Sequence, residues 1–264
     1  MIRRALATRF DRPAQSGRTQ PYRVAVETDD GHEHEVFLKP SAAPGLDIEG
    51  LANEALSACV AGGLGLPVCQ PFLVELSEAW IGSIPDVHAR DVLRRSCPIA
   101  FGSTAAGDGW RPWATADVIT IDRLAAAAGI FAFDCLVENP DRRPSNPNML
   151  VKGAAFRIID HEMAFRLRLH IPRSQPWSVG GLERMTAPDG HVFYVGLRAA
   201  KALDFGPVRA AWSALSDDCL DDYEASLPGQ WAHAANAVTD ALTHLRTVRD
   251  RIDDCVVEIE RILT

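Results

Sequence analysis

Near the start of the chain, apolar positions alternate with polar ones. Tyr22-Arg23-Val24-Ala25-Val26-Glu27 follows that period, and Asp29-Asp30-Gly31 supplies turn chemistry. Glu35-Val36-Phe37-Leu38-Lys39 then resumes the alternation until Pro40 ends it. The pattern predicts a β-hairpin whose second strand finishes at Lys39. The period then lengthens. Ile48, Leu51, Ala52, Ala55, Leu56 and Cys59 fall at the i, i+3, i+4, i+7 spacing of an amphipathic helix. Asp47 is placed to cap its start, and Gly62-Gly63 to end it where a left-handed turn is easy. Pro67 to Leu76 reads as another strand. Residues 77–115 are mixed, with Gly102, Gly107 and Gly109 marking loops.

From Ala116 to Glu138 the chain is alanine-rich and apolar on nearly every side, which predicts a buried helix. It must stop at Asn139-Pro140, because proline has no N–H to continue the ladder and restricts the residue before it. A loop from Asp141 to Asn148 leads into the strand Met149-Leu150-Val151-Lys152. Gly153 permits a turn, and Phe156-Arg157-Ile158-Ile159 returns toward Asp160. After about residue 175 the pattern is mostly helical. It ends in a segment from Ala232 to Leu263 with Val238, Leu242, Leu245, Val248, Ile252 and Val256 at helical spacing. The fold class expected from this order is α+β: a β-rich first part with one helix, then a mostly helical part with one small hairpin.

With 264 residues, the chain is long enough for one large domain or two closely packed lobes. Its 27 basic and 35 acidic residues give a net charge of −8, which repels phosphate backbones, so no direct nucleic-acid binding is expected. The six cysteines are scattered, with no CxxC pair, and read as reduced thiols. The segment Met1 to Arg9 is basic but lacks the apolar stretch of a signal peptide, and the longest apolar run, Leu124 to Phe133, is too short to span a bilayer. These features lead to the expectation of a cytoplasmic protein with no membrane partner.

The stretch with the most chemical content is Asn139-Pro140-Asp141-Arg142-Arg143-Pro144-Ser145-Asn146-Pro147-Asn148-Met149-Leu150, followed by Ile158-Ile159-Asp160-His161-Glu162. Phosphoryl transfer needs a carboxylate aligned with the incoming hydroxyl, and oxygen ligands for the Mg²⁺ that neutralises the phosphates. An Asp and an Asn on one loop, with a second Asp arriving from the adjacent hairpin, provide those groups.

The wording Asp141-Arg142-x-x-x-Asn146-x-Asn148-x-Leu150 with Ile159-Asp160-His161 resembles HipA-like kinases of the protein-kinase-like superfamily, with a secondary likeness to phosphatidylinositol kinases. The resemblance implies a two-lobed protein-kinase-like fold, with a β-rich N-lobe over residues 1–103 and a helical C-lobe over 104–264, and ATP held between them. It implies ATP and Mg²⁺ as cofactors, Asp141 as the catalytic residue, and Asn146 and Asp160 as metal ligands. Val36-Phe37-Leu38-Lys39 is similar to the strand that carries the phosphate-contacting lysine, and Asn53-Glu54 to the helix glutamate that pairs with it. Gly63-Leu64-Gly65-Leu66-Pro67 is similar to the family's helix-to-strand connection. Periodicity places Glu54 and Glu49 on opposite flanks of the apolar stripe and does not choose between them; the resemblance favours Glu54.

Two departures stand out. No GxGxxG loop is present, and Ser16-Gly17-Arg18-Thr19-Gln20-Pro21 is the candidate replacement, which makes Ser16 and Gly17 the expected nucleotide contacts. The His-Arg that precedes the catalytic Asp of ordinary protein kinases is also missing, which argues against a eukaryotic-type kinase. The activity implied is ATP- and Mg²⁺-dependent transfer to a protein serine or threonine, with a protein substrate and a regulatory protein as partners. Ser16 and Thr19 are autophosphorylation candidates by the same resemblance. Its rivals are a kinase-shaped binding module without turnover, the same fold acting on a small molecule or lipid, and AMP transfer. Other groups read more simply. His32 and His34 lack a third metal ligand and read as a hairpin rim. His161-Glu162 begins like a zinc-protease motif without its second histidine. The region of Trp177 and His191 reads as packing.

Overall fold

In the computed structural model, residues 2–14, 19–166 and 174–264 are described. β1 (Arg3–Pro13) precedes the alternating segments, which form β2 (Tyr22–Thr28) and β3 (Glu33–Lys39), and the helix-period segment forms α1 (Ile48–Gly63). β4 (Pro71–Glu75) follows, then the short helices α2 (Glu78–Ser83) and α3 (Val87–Arg95), then β5 (Ile99–Thr104). The strands close into a barrel in the order β1-β2-β3-β5-β4. Every neighbouring pair is antiparallel except β1 and β4, whose parallel pairing joins Arg3 to Phe72 and Leu6 to Glu75. Closure leaves no long unpaired edge. Val24, Val26, Val36, Leu38, Phe72 and Val74 fill a core that also takes in Trp80, Ile81, Val92 and Leu93 from α2 and α3.

Gly102 lies inside β5 and does not mark a loop, contrary to the sequence expectation. A Cβ there would come within 2.9 Å of Val74 Cγ2 and 3.3 Å of Val36 Cγ2, so the barrel interior requires glycine at that point. The expected strand from Pro67 shortens to β4, because the residues before it complete the end of α1. Gly65 takes φ +73°, its N–H donates to Gly62 O at 3.0 Å, and Leu66 N–H donates to Ala61 O at 2.9 Å. That is a Schellman ending, and its left-handed residue is Gly65, not Gly62 or Gly63. At the other end, Asp47 Oδ1 accepts from Gly50 N–H at 2.7 Å.

The chain forms two compact units. The first contains residues up to Cys59, Cys69–Gly107 and Asp221–Val238; the second contains Val60–Val68, Asp108–Leu220 and Thr239–Thr264. The single helix expected in the β-rich part is a correction: α2 and α3 join α1, started by Ser77 and Asp86, whose side chains accept from Trp80 N–H and Ala89 N–H. Each is under three turns, too short for periodicity to reveal. The late segment joins this unit through Trp231, buried, whose indole Nε1–H donates to Ile99 O at 3.0 Å.

In the second unit, β6 (Arg111–Pro112), β7 (Met149–Lys152) and β8 (Ala155–Ile158) form an antiparallel sheet in the order β6-β7-β8. α4 (Leu124–Leu136) begins later than its composition predicts. Residues before it take turns instead, because the Asp117 carboxylate accepts from Ala114 N–H at 2.8 Å and twice from Arg111 at 2.6 Å. Such local side-chain bonds compete with helix. α5 (Tyr194–Arg198), α6 (Gly206–Ser213), α7 (Asp217–Ser226), α8 (Ala235–Asp250) and α9 (Ile252–Leu263) complete the chain. The expected tail helix is split at Arg251, where φ −118° and ψ 28° interrupt it. Val248, Ile252 and Val256 keep helical spacing through the break, so sequence periodicity did not reveal it. The observed fold is thus mixed α+β with two sheets. Among the described residues no helix is long and apolar enough to cross a membrane.

Candidate active site

Lys39 closes β3 and Glu54 sits on α1, both in the first unit. Lys39 Nζ donates to Glu54 Oε2 at 2.8 Å, and both side chains are buried. This pairing makes Glu54, not Glu49, the partner of Lys39. Taking a lysine and a glutamate out of water is unfavourable unless each answers the other. Lys39→Met is therefore expected to lower stability by about 3–5 kcal/mol in urea unfolding, while Lys39→Met combined with Glu54→Leu recovers most of that loss. The expected nucleotide contacts Ser16 and Gly17 lie outside the described residues; Thr19 is described and buried.

The second unit holds Asp141, Asn146 and Asp160. α4 ends at Val137, and Glu138 turns the chain at φ +54°. Asn139 accepts from Asp141 N–H at 3.1 Å, an Asx turn that starts the loop. Arg143 and Asn146 exchange backbone hydrogen bonds at 3.1 and 3.0 Å, folding the proline-containing segment tightly back. That fold sets Asn146 beside Asp141. Asp141 Oδ2 accepts from Nδ2 of Asn146 at 2.9 Å and from Nδ2 of Asn148 at 3.1 Å. Because the amide nitrogen of Asn146 faces Asp141, its amide oxygen is the atom left to meet a cation.

Asp160 follows β8 and is tied to the same loop through its neighbour: Ile159 N–H donates to Asn148 O at 3.1 Å. Asp160 holds φ +64° and is half-buried. Four of the five non-glycine residues with positive φ among the described residues are Glu138, Asn148, Asp160 and Phe165, all in this neighbourhood. Such strain persists where surrounding contacts over-determine the backbone, and it clusters at functional sites. Here Phe165 N–H donates to Val137 O at 3.0 Å, locking the segment after Asp160 to the end of α4.

Beneath the loop lies a group that sequence reasoning missed. Asp134, on α4, is fully buried, and so are Arg142 and His191. Asp134 Oδ2 accepts from Arg142 Nε at 2.5 Å and from His191 Nε2 at 3.1 Å, and its Oδ1 accepts from Asn139 Nδ2 at 2.8 Å. Arg142 also donates through Nη1 to the carbonyls of Asn148 and Ile159. One buried guanidinium thus joins α4, the Asp141 loop and the strand leading to Asp160. Burial opposes charge on Asp134, but the Arg142 charge and the His191 hydrogen bond outweigh it and hold the carboxyl below its ordinary range. Burial likewise lowers His191, against the pull of Asp134. Its Nδ1 accepts from Phe193 N–H at 3.1 Å, so the neutral ring carries its proton on Nε2, facing Asp134. His191 is therefore more than packing. The available signal was Asp134 itself, a lone carboxylate inside Ile130-Phe131-Ala132-Phe133-Asp134-Cys135-Leu136.

The simpler readings resolve locally. His32 Nδ1 lies 3.2 Å from Asp30, and His34 packs on Phe72 with ring centroids 5.2 Å apart. Trp177 packs against His244, centroids 5.8 Å apart, and takes Arg251 over its face. The oxygen donors of Asp160 and Asn146 fit a hard divalent cation such as Mg²⁺, which prefers carboxylate and carbonyl ligands.

No curated protein matches this chain. The crystal structure of the Helicobacter pylori proinflammatory kinase CtkA aligns with 96% of it and 99% of its own chain, at 10% identity and a TM-score of 0.47. The family model for HipA-like kinases matches residues 8–175, more than half of the chain and inclusive of Lys39, Glu54, Asp141, Asn146 and Asp160. The protein belongs to the HipA-like kinase family.

Proposed function

We propose that the protein is an ATP- and Mg²⁺-dependent phosphotransferase whose acceptor is a serine or threonine hydroxyl on a protein. The observation that carries this reading is the tie between Asp141 and the Asn146 and Asn148 amides, on a loop pinned by Arg142 to the strand before Asp160. Family membership supports the kinase activity; the loop geometry supports the individual roles. Asp141 orients the acceptor hydroxyl and takes its proton as the bond to the γ-phosphorus forms. Asn146 and Asp160 hold Mg²⁺, which neutralises charge on the phosphates when bound. Lys39, oriented by Glu54, contacts the α- and β-phosphates. Positioning and charge stabilisation do most of the work in such a transfer.

A regulatory protein partner belongs to the same proposal. The net charge of −8 disfavours nucleic acid as a direct partner.

The test is intact-protein and lysate mass spectrometry after exposure to Mg-ATP, beside an Asp141→Ala control. Wild type should add single phosphates to protein hydroxyls, and the control should lose about 10²–10⁴-fold of that activity while keeping its folding midpoint. Mass gains of one AMP, or phosphate on small molecules alone, would redirect the assignment. Equal transfer by Asp141→Ala would reject the role of Asp141.

A further inference from the structure

The carboxylate of Asp141 is held unequally at its two oxygens. Oδ2 is taken by the amides of Asn146 and Asn148, whereas Oδ1 accepts from Arg143 Nη2 at 3.1 Å and from no other donor among the described residues. Arg143 reaches a second carboxylate as well: its Nη1 donates to Asp189 Oδ2 at 3.3 Å. Asp189 comes from the turn before α5 and is itself anchored. Ser145 N–H donates to its Oδ1 at 3.1 Å, and Ser145 Oγ–H to its Oδ2 at 2.7 Å. These bonds, with the Arg143 charge adding to them, keep the Asp189 carboxyl below its ordinary range, so it stands as a fixed anion. A half-exposed guanidinium thus bridges two carboxylates, one of which is the proposed catalytic residue.

We propose that Asp189 is a positioning residue: with Ser145 it anchors Arg143, so that the guanidinium can yield Asp141 Oδ1 to the acceptor hydroxyl while keeping a counter-charge. This rests on the phosphotransferase reading above. The acceptor needs Oδ1 because two amides already occupy Oδ2 and fix the orientation of the carboxylate. With Asp189 present, Arg143 exchanges one carboxylate contact for another that it already makes. Without it, Asp141 is the remaining carboxylate partner in this network, and Arg143 stays on the oxygen that must receive the proton. In the step itself the acceptor O–H proton passes to Asp141 Oδ1 as the acceptor oxygen bonds to the γ-phosphorus. The bond from that phosphorus to the β–γ bridging oxygen breaks, ADP leaves with the electron pair, and the proton is afterwards released to solvent. Arg143 and Asp189 neither gain nor lose a proton.

The test is ATP hydrolysis by the full chain, with water standing in for the acceptor, measured as phosphate release across a range of Mg-ATP. Five proteins are compared: wild type, Asp189→Asn, Arg143→Ala, the double variant and Asp141→Ala. Asparagine keeps one oxygen to accept from Ser145 N–H, offers an amide N–H to Ser145 Oγ in place of the second acceptor, and removes the charge. Asp189→Asn should lower kcat about tenfold with KM for Mg-ATP little changed, and should cause no further loss once Arg143 is alanine, the non-additivity of residues acting through one another. If Asp189 merely braced the loop through Ser145, its loss would be the same in both backgrounds. That outcome, an unchanged kcat, or a change confined to KM would overturn the proposal. Hydrolysis that Asp141→Ala abolishes but Asp189→Asn spares would sink this inference alone; absence of Asp141-dependent hydrolysis in wild type would sink the phosphotransferase reading and this inference with it.

Discussion

Asp160→Asn is expected to cut phosphate transfer by roughly a thousandfold and to make ATP affinity insensitive to Mg²⁺, with little change in stability. Asparagine is the informative substitution because Asp160 holds φ +64°, a left-handed conformation that Asn tolerates and most other residues do not. The side-chain shape is kept and only the charge is lost. Asn146 supplies only a neutral oxygen, so without the Asp160 carboxylate the pair lacks the negative charge that draws Mg²⁺ from its hydration shell, and the metal and its neutralisation of phosphate charge should be lost together. Phosphate-transfer rates and calorimetric titrations of ATP, each with and without Mg²⁺, check the two halves separately. Activity near wild type in this variant would remove Asp160 from the metal site.

An effect on stability as large as that of Lys39→Met is expected beneath the loop. Asp134→Asn places an amide where the carboxylate now accepts from Arg142, Asn139 and His191, and it leaves the Arg142 guanidinium buried without its anion. Removing one partner of a buried ion pair costs about 3–5 kcal/mol, which for a domain of this size corresponds to a fall in Tm of roughly 10 °C. Differential scanning calorimetry and urea midpoints measure it directly. Turnover should fall as well, since Arg142 also holds the carbonyls of Asn148 and Ile159.

The same group predicts a pH dependence. His191 has a folded pKa below its unfolded value, so the unfolded chain binds the extra proton and stability falls as pH drops below about 6.5. Asp134 is also depressed in the folded state. Its contribution is fully present above the unfolded value of about 4 and is lost as pH falls further toward its folded value. Wild type should therefore weaken in two stages on acidification, and Asp134→Asn should show a smaller second loss, the remainder coming from other carboxylates held low in the folded state, such as Asp117 and Asp217. An unfolding midpoint flat from pH 7 to pH 4 would contradict the buried neutral state of His191.

Much of this protein was legible without coordinates where the information is local. The hairpin of β2 and β3 follows from alternation and the Asp29-Asp30-Gly31 turn, and α1 from its apolar spacing and Asp47. The Asp141 loop follows from the proline that ends α4. The pairing of Lys39 with Glu54 was legible through family resemblance; helical periodicity alone left Glu49 equally placed. Less was readable where short segments depend on distant partners. β5 contains a glycine that reads as a loop until Val36 and Val74 are seen pressing on it. α2 and α3 are too short to show a period.

The amino-acid order by itself carried the resemblance to HipA-like kinases, because the wording from Asp141 to Leu150 and Ile159-Asp160-His161 is local and needs no tertiary contact to be read. It also determined which segments extend and which coil, since those preferences reside in φ, ψ and side-chain alternation over a few residues. Tertiary structure decided the parallel pairing of β1 with β4, the position of β5 between β3 and β4, and the return of Asp221–Val238 to the first unit. It alone assembled Asp134, Arg142 and His191. Those contacts join residues far apart in the chain, and only packing that removes them from water makes each one require the others.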